Sequence, residues 1–355
     1  VSTRPVPAPG SRQLMPPADP ARLAAYDAVS TALAVLSDRQ VADLVAGAEP
    51  RGEGIGGRSA ELEVAGTRVF VKRVPLTDLE CRPEHVRSTA NVFGLPTFYQ
   101  YGVGSAGFGA WRELAAHVMT TNWVLTGAFA GFPILCHWRV IPDSPPEGFS
   151  DEPGGIDGYV ARWDGSDAVR RRLEAIMTSS RSLVLFLEHL PGTLASWLSE
   201  REGSEPYPWL EQALVGGTRF LSSQGFVHFD AHFLNLLTDG REIYFADLGL
   251  AVSKRFTLSA EESRFLDDHL SYDRYYTTSH LLRHHLPGGT RERREHVRLL
   301  REWVAGRARR DQVSEAAAGL LDRHAATALV FEGFVERLVG ESKRTPFPHA
   351  ELDRA

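Results

Sequence analysis

The chain has 355 residues, and its 39 Lys and Arg stand against 45 Asp and Glu, a formal net charge of -6. Apolar residues make up 43% and charged residues 24%, the composition of a globular protein long enough to bury a core unaided. No apolar run reaches the roughly 18 residues of a membrane span, and the mild acidity argues against a general nucleic-acid binder.

Two cysteines, Cys81 and Cys136, cannot form a disulfide framework or a four-Cys zinc site, and as reduced thiols they suit a cytoplasm. Length predicts about two structural units.

Residues 1–18 are rich in Pro, show no apolar period and lack the pattern of a secretory signal; they read as a disordered arm. Asp19-Pro20 is an N-cap followed by Pro at the first helical position, and Leu23, Tyr26, Val29, Leu33 and Leu36 recur at helical spacing. Ser37 and Gln40 form a capping-box pattern that predicts a second helix through Val45.

Gly52, Gly54, Gly56 and Gly57 then crowd a short loop. Two β-prone runs, 60–65 and 68–74, follow and are joined by Gly66-Thr67, a hairpin signal. Residues 109–125 read as a helix with Trp111, Leu114 and Val118 on one face, and 133–141 and 183–187 read as strands. Between these strands, 142–165 reads as a Pro/Gly/Asp-rich loop and 166–178 as a polar helix. The chain is largely helical from Leu194, except where Asp239-Gly240 predicts a hairpin between 236–238 and 242–246.

Four features occur in a fixed order. Val69-Phe70-Val71-Lys72 places an ammonium on a strand beneath the Gly-rich loop, a fixed positive charge suited to a polyphosphate. The glycines let backbone N–H groups approach phosphate without a Cβ in the way. His228-Phe229-Asp230-Ala231-His232-Phe233-Leu234-Asn235 supplies a carboxylate that can accept from an attacking hydroxyl and an amide oxygen suited to a hard cation. Ala246-Asp247-Leu248-Gly249 follows Asn235 by 12 positions, and the intervening hairpin would return Asp247 to the same site.

This order resembles that of the protein-kinase-like superfamily over about residues 50–285. The resemblance implies an α+β, bilobal fold with a small β-rich N-lobe and a mainly helical C-lobe. It implies N-terminal helices over 19–48, an N-lobe over 49–190 with an insertion at 142–180, a C-lobe over 191–345 and a tail over 346–355. It makes the protein an ATP- and Mg²⁺-dependent kinase acting on a hydroxyl acceptor, a small molecule or a Ser/Thr of a protein or peptide. Lys72 would hold the α- and β-phosphates under Gly52, Gly54, Gly56 and Gly57. Asp230 would orient the acceptor, and Asn235 and Asp247 would hold Mg²⁺.

Glu188 and Leu190, in Leu187-Glu188-His189-Leu190-Pro191-Gly192, look like the hinge whose backbone bonds adenine while its side chains matter little. Glu113 is the expected helix partner of Lys72, 41 positions on, with Glu80 and Glu84 as competitors. Asp273 is placed as the Asp that braces the catalytic loop.

His228 and His232 are similar to the loop of aminoglycoside phosphotransferases and read as braces of that loop. Phe229 stands where protein kinases carry Arg, and no Ala-Pro-Glu follows Asp247, so switching by a phosphorylated activation loop is not expected. A pseudokinase, binding nucleotide without turnover, is the competing reading. His280 and His284 have a metal-ligand spacing without a carboxylate partner. The eight Arg within 291–310 read as a solvated helix face.

Overall fold

The computed structural model describes residues 19–54, 57–146, 154–201, 206–284, 286 and 292–355. The expected arm at 1–18 lies outside them. The fold is mixed α+β.

Asp19 starts helix α1 (Pro20–Ala34) by accepting from the Ala21 N–H at 2.9 Å. The Ser37–Gln40 capping box starts α2 (Asp38–Ala46). Five strands form one antiparallel sheet: β1 (Glu49–Gly54), β2 (Gly57–Val64), β3 (Thr67–Leu76), β4 (Leu135–Pro142) and β5 (Arg181–Glu188), in the order β1-β2-β3-β5-β4. The β2–β3 turn is Ala65-Gly66, one residue earlier than expected, with φ of 50° and 74°. Positive φ at both central residues matches the strand twist.

The two-residue period of a strand decides what each sheet face holds. Val69 and Val71 of β3 point toward α1 and α2, with Val29, Leu33, Val41 and Val45. Val74 and Leu76 point the other way, with Trp111 and Leu114 of helix α3 (Ala110–Leu125). Lys72 therefore lies on the α3 face.

Val118, expected beside Trp111 and Leu114, is 40% exposed. After Leu114 the helix packs its apolar side chains into the main core, while Thr121 still accepts the Leu135 N–H of β4 at 2.8 Å. Beyond that point its buried apolar residues are Ala116, Trp123 and Val124, which join the main core.

The expected loop at 142–165 contains helix α4 (Gly155–Ala161). Buried Tyr159, Val160 and Trp163 anchor it, and Trp163 meets Tyr99 edge-on at 4.6 Å. Three apolar residues in a Gly/Asp-rich stretch show no period, so the helix was hidden in the sequence. Helix α5 (Asp167–Met177) follows, with Val169, Leu173 and Ile176 buried beside the equally buried Arg172.

The second half holds β6 (Gly192–Thr193), α6 (Leu194–Ser199), α7 (Tyr207–Ser223), β7 (Phe226–Val227), β8 (Leu236–Thr238), β9 (Ile243–Phe245) and β10 (Val252–Ser253). Then come α8 (Ala260–Asp268), α9 (Tyr272–His284), α10 (Arg293–Val304), α11 (Glu315–Gly340) and α12 (His349–Leu352). Strands β8 and β9 pair across Asp239-Gly240, where the Asp239 carboxylate accepts the Arg241 and Glu242 N–H groups. The stretch set apart as a tail, 346–355, carries α12 and buries Phe347 and Leu352.

The arginine-rich helix α10 buries His296, Val297, Leu300 and Trp303 and leaves its basic face outward. The His280 and His284 rings lie 4.6 Å apart, with His280 against Phe233. Among the described residues, no three His, Cys, Asp or Glu side chains are grouped to hold a metal, and no helix is long and apolar enough to cross a membrane.

Candidate active site

Lys72 is the centre of the site. Its Nζ lies 2.7 Å from Glu113 Oε1 and 2.7 Å from Asp247 Oδ1. The strand period aims Lys72 at α3, and Glu113 sits in the first, buried turn of that helix. Burial alone would lower the Lys72 pKa, but Asp247 and Glu113 outweigh it and hold the ammonium charged. Burial pushes Glu113 up despite Lys72. Asp247 goes the other way: burial would raise it, yet Lys72 holds it down at about 2. The Asp247 side chain is 46% exposed toward the cleft, so its charge faces open space.

Glu80, a competitor for Lys72, is committed elsewhere. Its carboxylate pairs with Arg172 at 2.8 Å and accepts the Ala110 N–H that opens α3. Glu84 is exposed.

The 228–235 loop runs from β7 to β8. Buried Asp273 accepts the N–H groups of His228 at 2.6 Å and Phe229 at 3.0 Å, the bracing expected from sequence. Phe229 is held at φ 65° and Asp247 at φ 56°, left-handed values that non-glycine residues adopt at a cost of about 1–3 kcal/mol. The Phe229 ring, where an Arg would signal a phosphate-switched loop, is fully buried against Phe265 and Tyr272.

His228 is a brace. The Asp230 N–H donates to its Nδ1 at 3.2 Å, so Nε2 carries the proton and donates to Ala246 O at 2.8 Å. Burial lowers its pKa to about 4, which keeps it neutral. His232 lies beside Asp230 with Nε2 3.7 Å from Oδ1, beyond hydrogen-bonding distance.

Asn235 Nδ2 donates to the Asp230 carbonyl and to its Oδ2, both at 3.0 Å. The amide nitrogen is thereby spent, and the amide oxygen is the group left to offer. The Ala246 N–H donates to Asn235 O at 2.9 Å, which sets Asp247 beside Asn235 as the hairpin predicted. Asp230 is pushed up to about 7 by burial and by Asp247, against the pull of Asn235 and Lys72. Its Oδ1 is buried and accepts no hydrogen bond.

Two cavities meet at Lys72 and Asp247. The larger, about 1020 Å³, is lined by Gly52 and Gly57 of the glycine hairpin, by Leu187 through Gly192, and by Asn235 and Asp247. The smaller, about 130 Å³, contains Asp230, Ser105 and Arg172 with Lys72 and Asp247.

The chain matches no protein-family model and no curated protein.

The structure thus brings Lys72, Glu113, Asp230, Asn235 and Asp247 to one place, with Gly52, Gly57, Glu188 and Leu190 around the larger cavity. The glycine loop is a hairpin: Gly52 and Gly54 lie on β1 and Gly57 opens β2. Gly56 lies outside the described residues.

The Glu188 side chain, expected to matter little, is a structural anchor. Arg22 of α1 grips it through Nε and Nη2, both at 2.7 Å, and also donates to Ala130 O and Phe132 O. The N-terminal helix is thereby tied to the cavity wall. A lone Arg on a helix carries no local mark of a partner 166 positions away.

Two further features escaped the sequence. His117 lines the larger cavity from α3, one turn beyond Glu113. Neither of its ring nitrogens is hydrogen-bonded, and burial lowers its pKa to about 3. The second is the 102–109 segment, whose Gly102, Gly104 and Gly107 follow the G-x-G-x-x-G spacing. A Cβ on Gly102 would collide with the Asp230 carboxylate, and one on Gly107 would come 2.7 Å from Gly249 O. The segment is strapped over both motif loops, and its glycine spacing was the signal that could have found it.

Proposed function

We propose that the protein is a phosphotransferase of bilobal, protein-kinase-like fold that moves the γ-phosphoryl group of ATP to a hydroxyl. The observation that carries this reading is the Lys72 ammonium bridging Glu113 and Asp247 at 2.7 Å each, with the Asp230–Asn235 pair beside it. A buried ammonium fixed by two carboxylates suits a phosphate chain, because it is charged and positioned before the ligand arrives.

The larger cavity accommodates a nucleotide in size. Glu188 and Leu190 offer backbone groups there for a base, and Gly52 and Gly57 leave room for phosphates.

The donor set fits Mg²⁺. Asp247 offers a charged, outward-facing carboxylate, and Asn235 offers an amide oxygen whose nitrogen is already committed. Two protein oxygens completed by phosphate oxygens and water are the usual environment of this ion. When bound, it would neutralise charge on the transferring phosphoryl group. Asp230 aligns the acceptor hydroxyl and takes its proton, and Lys72 holds the phosphates in line. The two free cysteines fit a reducing cytoplasm.

Labelled ATP with the purified chain, alone and with cell-extract fractions, tests the reading. Asp230→Ala should lower transfer at least about 100-fold and keep nucleotide binding. Asp247→Ala should abolish the thermal shift produced by Mg²⁺ and ATP. Normal turnover by the first variant, or an unchanged shift in the second, would overturn the assignment. No label anywhere, with a normal shift, would make the protein a nucleotide-binding pseudokinase.

A further inference from the structure

The smaller cavity decides what can stand next to Asp230. At about 130 Å³ it holds roughly four waters and falls well below the range of small-molecule sites, so a sugar-sized acceptor does not fit in it. Its cover is the 102–109 strap, held down by Gly102 on Asp230, by Gly107 on Gly249 and by the Gln100 side chain donating to Leu250 O.

Two groups around this cavity lack partners. Asp230 Oδ1 is a buried carboxylate oxygen without a donor. Arg172 Nε is a buried N–H without an acceptor, although Nη1 of the same side chain pairs with Glu80. One hydroxyl side chain lines the cavity among the described residues, and it is Ser105. Ser105 is half-buried at the bend of the strap, where its Oγ accepts the Gly107 N–H at 3.1 Å. Gly104, Gly107 and Gly109 flank it at φ 93°, 70° and 141°, and of these Gly104 stands in open space while Gly107 and Gly109 pack closely on Gly249 and Glu80.

We propose that Ser105 is a phosphoryl acceptor of the chain's own active site, modified in cis. The inference rests on the reading of the site as an ATP-dependent phosphotransferase. A carboxylate oxygen lacking a donor and a single hydroxyl side chain share one small cavity that also contains Lys72 and Asp247. In the step, Ser105 Oγ attacks the γ-phosphorus of ATP. The new O–P bond forms as the bond from phosphorus to the β,γ-bridging oxygen breaks. The hydroxyl proton passes to Asp230, and ADP leaves. The product phosphate carries about -1.5 to -2 charges, and Arg172, whose Nε has no acceptor, lines the same cavity.

The test is site-resolved mass spectrometry of the full chain after incubation with Mg²⁺ and ATP, across a dilution series. One phosphoryl group on the peptide containing Ser105 is expected, formed at a rate per molecule that does not change on dilution. Ser105→Ala should lose that group and keep the nucleotide-induced thermal shift; mapping the unaltered chain needs no variant to fold. Phosphate on other residues or on added acceptors, with none on Ser105, would overturn this inference and leave the phosphotransferase reading standing. A rate that rises with concentration would overturn the cis assignment. Failure of the unaltered chain to shift with Mg²⁺ and ATP would sink both.

Discussion

Lys72 and Asp247 face two spaces of very different size. On one side lies a cavity of about 1020 Å³, walled by strand edges and the 187–192 segment; on the other lies about 130 Å³, covered by a glycine strap. The same charged pair serves both, so charge does not separate them. Backbone approach does. On the larger side Gly52 has only the Ser59 hydroxyl near its missing Cβ, and Gly57 packs its missing Cβ onto Arg73 O within the sheet, so neither presses on a motif residue. On the smaller side Gly102 and Gly107 bring the backbone onto Asp230 and Gly249. A large ligand and a small reacting group call for these two treatments, and the contrast can be attacked from either side.

The largest effect should come from the covered side. Gly102→Val puts three carbons where Asp230 Oδ1 and Phe229 O now stand. Overpacking should cost about 1–3 kcal/mol of stability. Displacing Asp230 by about 1 Å should lower phosphoryl transfer about 100-fold. Nucleotide binding, read as a thermal shift, should survive, since Gly102 is not on the larger cavity. Equal loss of both would mean that the two spaces are not separable.

The larger side should respond in the other sense. Arg22→Ala removes both contacts to the Glu188 carboxylate and leaves it one backbone donor, Ile134 N–H. Breaking this largely buried pair should cost about 2–3 kcal/mol in urea unfolding. Nucleotide affinity should weaken by about tenfold or less, with transfer at saturating ATP unchanged. A fall in the transfer rate at saturation, without weaker binding, would contradict the division of labour.

Local pattern carried much of this site. Lys72, Asp230, Asn235 and Asp247 were legible because each lies in a short motif whose spacing is set by a strand, a loop or a tight hairpin. Glu113 was legible with competitors, since only the fold shows Glu80 bound to Arg172. Four of the five sheet strands and helices α1, α2, α3 and α5 followed from period and caps, whereas β1 read as a glycine loop. Helix α4 did not, because three buried side chains, not a repeat, hold it. The Arg22–Glu188 anchor and the 102–109 strap were also hidden. Both are contacts between segments more than 100 positions apart; the anchor carries no local mark, and the strap carries only its glycine spacing.

The smallest effects concern pH, and here groups around the 228–235 loop pull against one another. His228 and His269 are buried and neutral, with pKa values lowered by burial to about 4. His269 donates from Nδ1 to Phe265 O and accepts from the Tyr101 hydroxyl at Nε2, so neither nitrogen has room for a second proton. Between pH 6.5 and 4 the unfolded chain binds protons at these histidines that the folded chain refuses, so their contribution to stability is lost as pH falls. Asp273 has the opposite sign. Burial raises it to about 7 despite two N–H donors, so between pH 7 and 4 the folded state holds a proton that the unfolded state releases, and stability grows as pH falls. Each slope approaches about 1.4 kcal/mol per pH unit in its window, and in the unaltered chain they partly cancel. Single substitutions separate them. His269→Gln should make stability fall less, or rise more, from pH 6.5 to 5. Asp273→Asn should make it fall more steeply over the same range. Asp230, also raised to about 7, is present in both variants and drops out of the difference. Urea unfolding at four pH values gives the two slopes. Slopes that move in the same direction would show that the loop is not held between a neutral histidine and a protonated carboxyl.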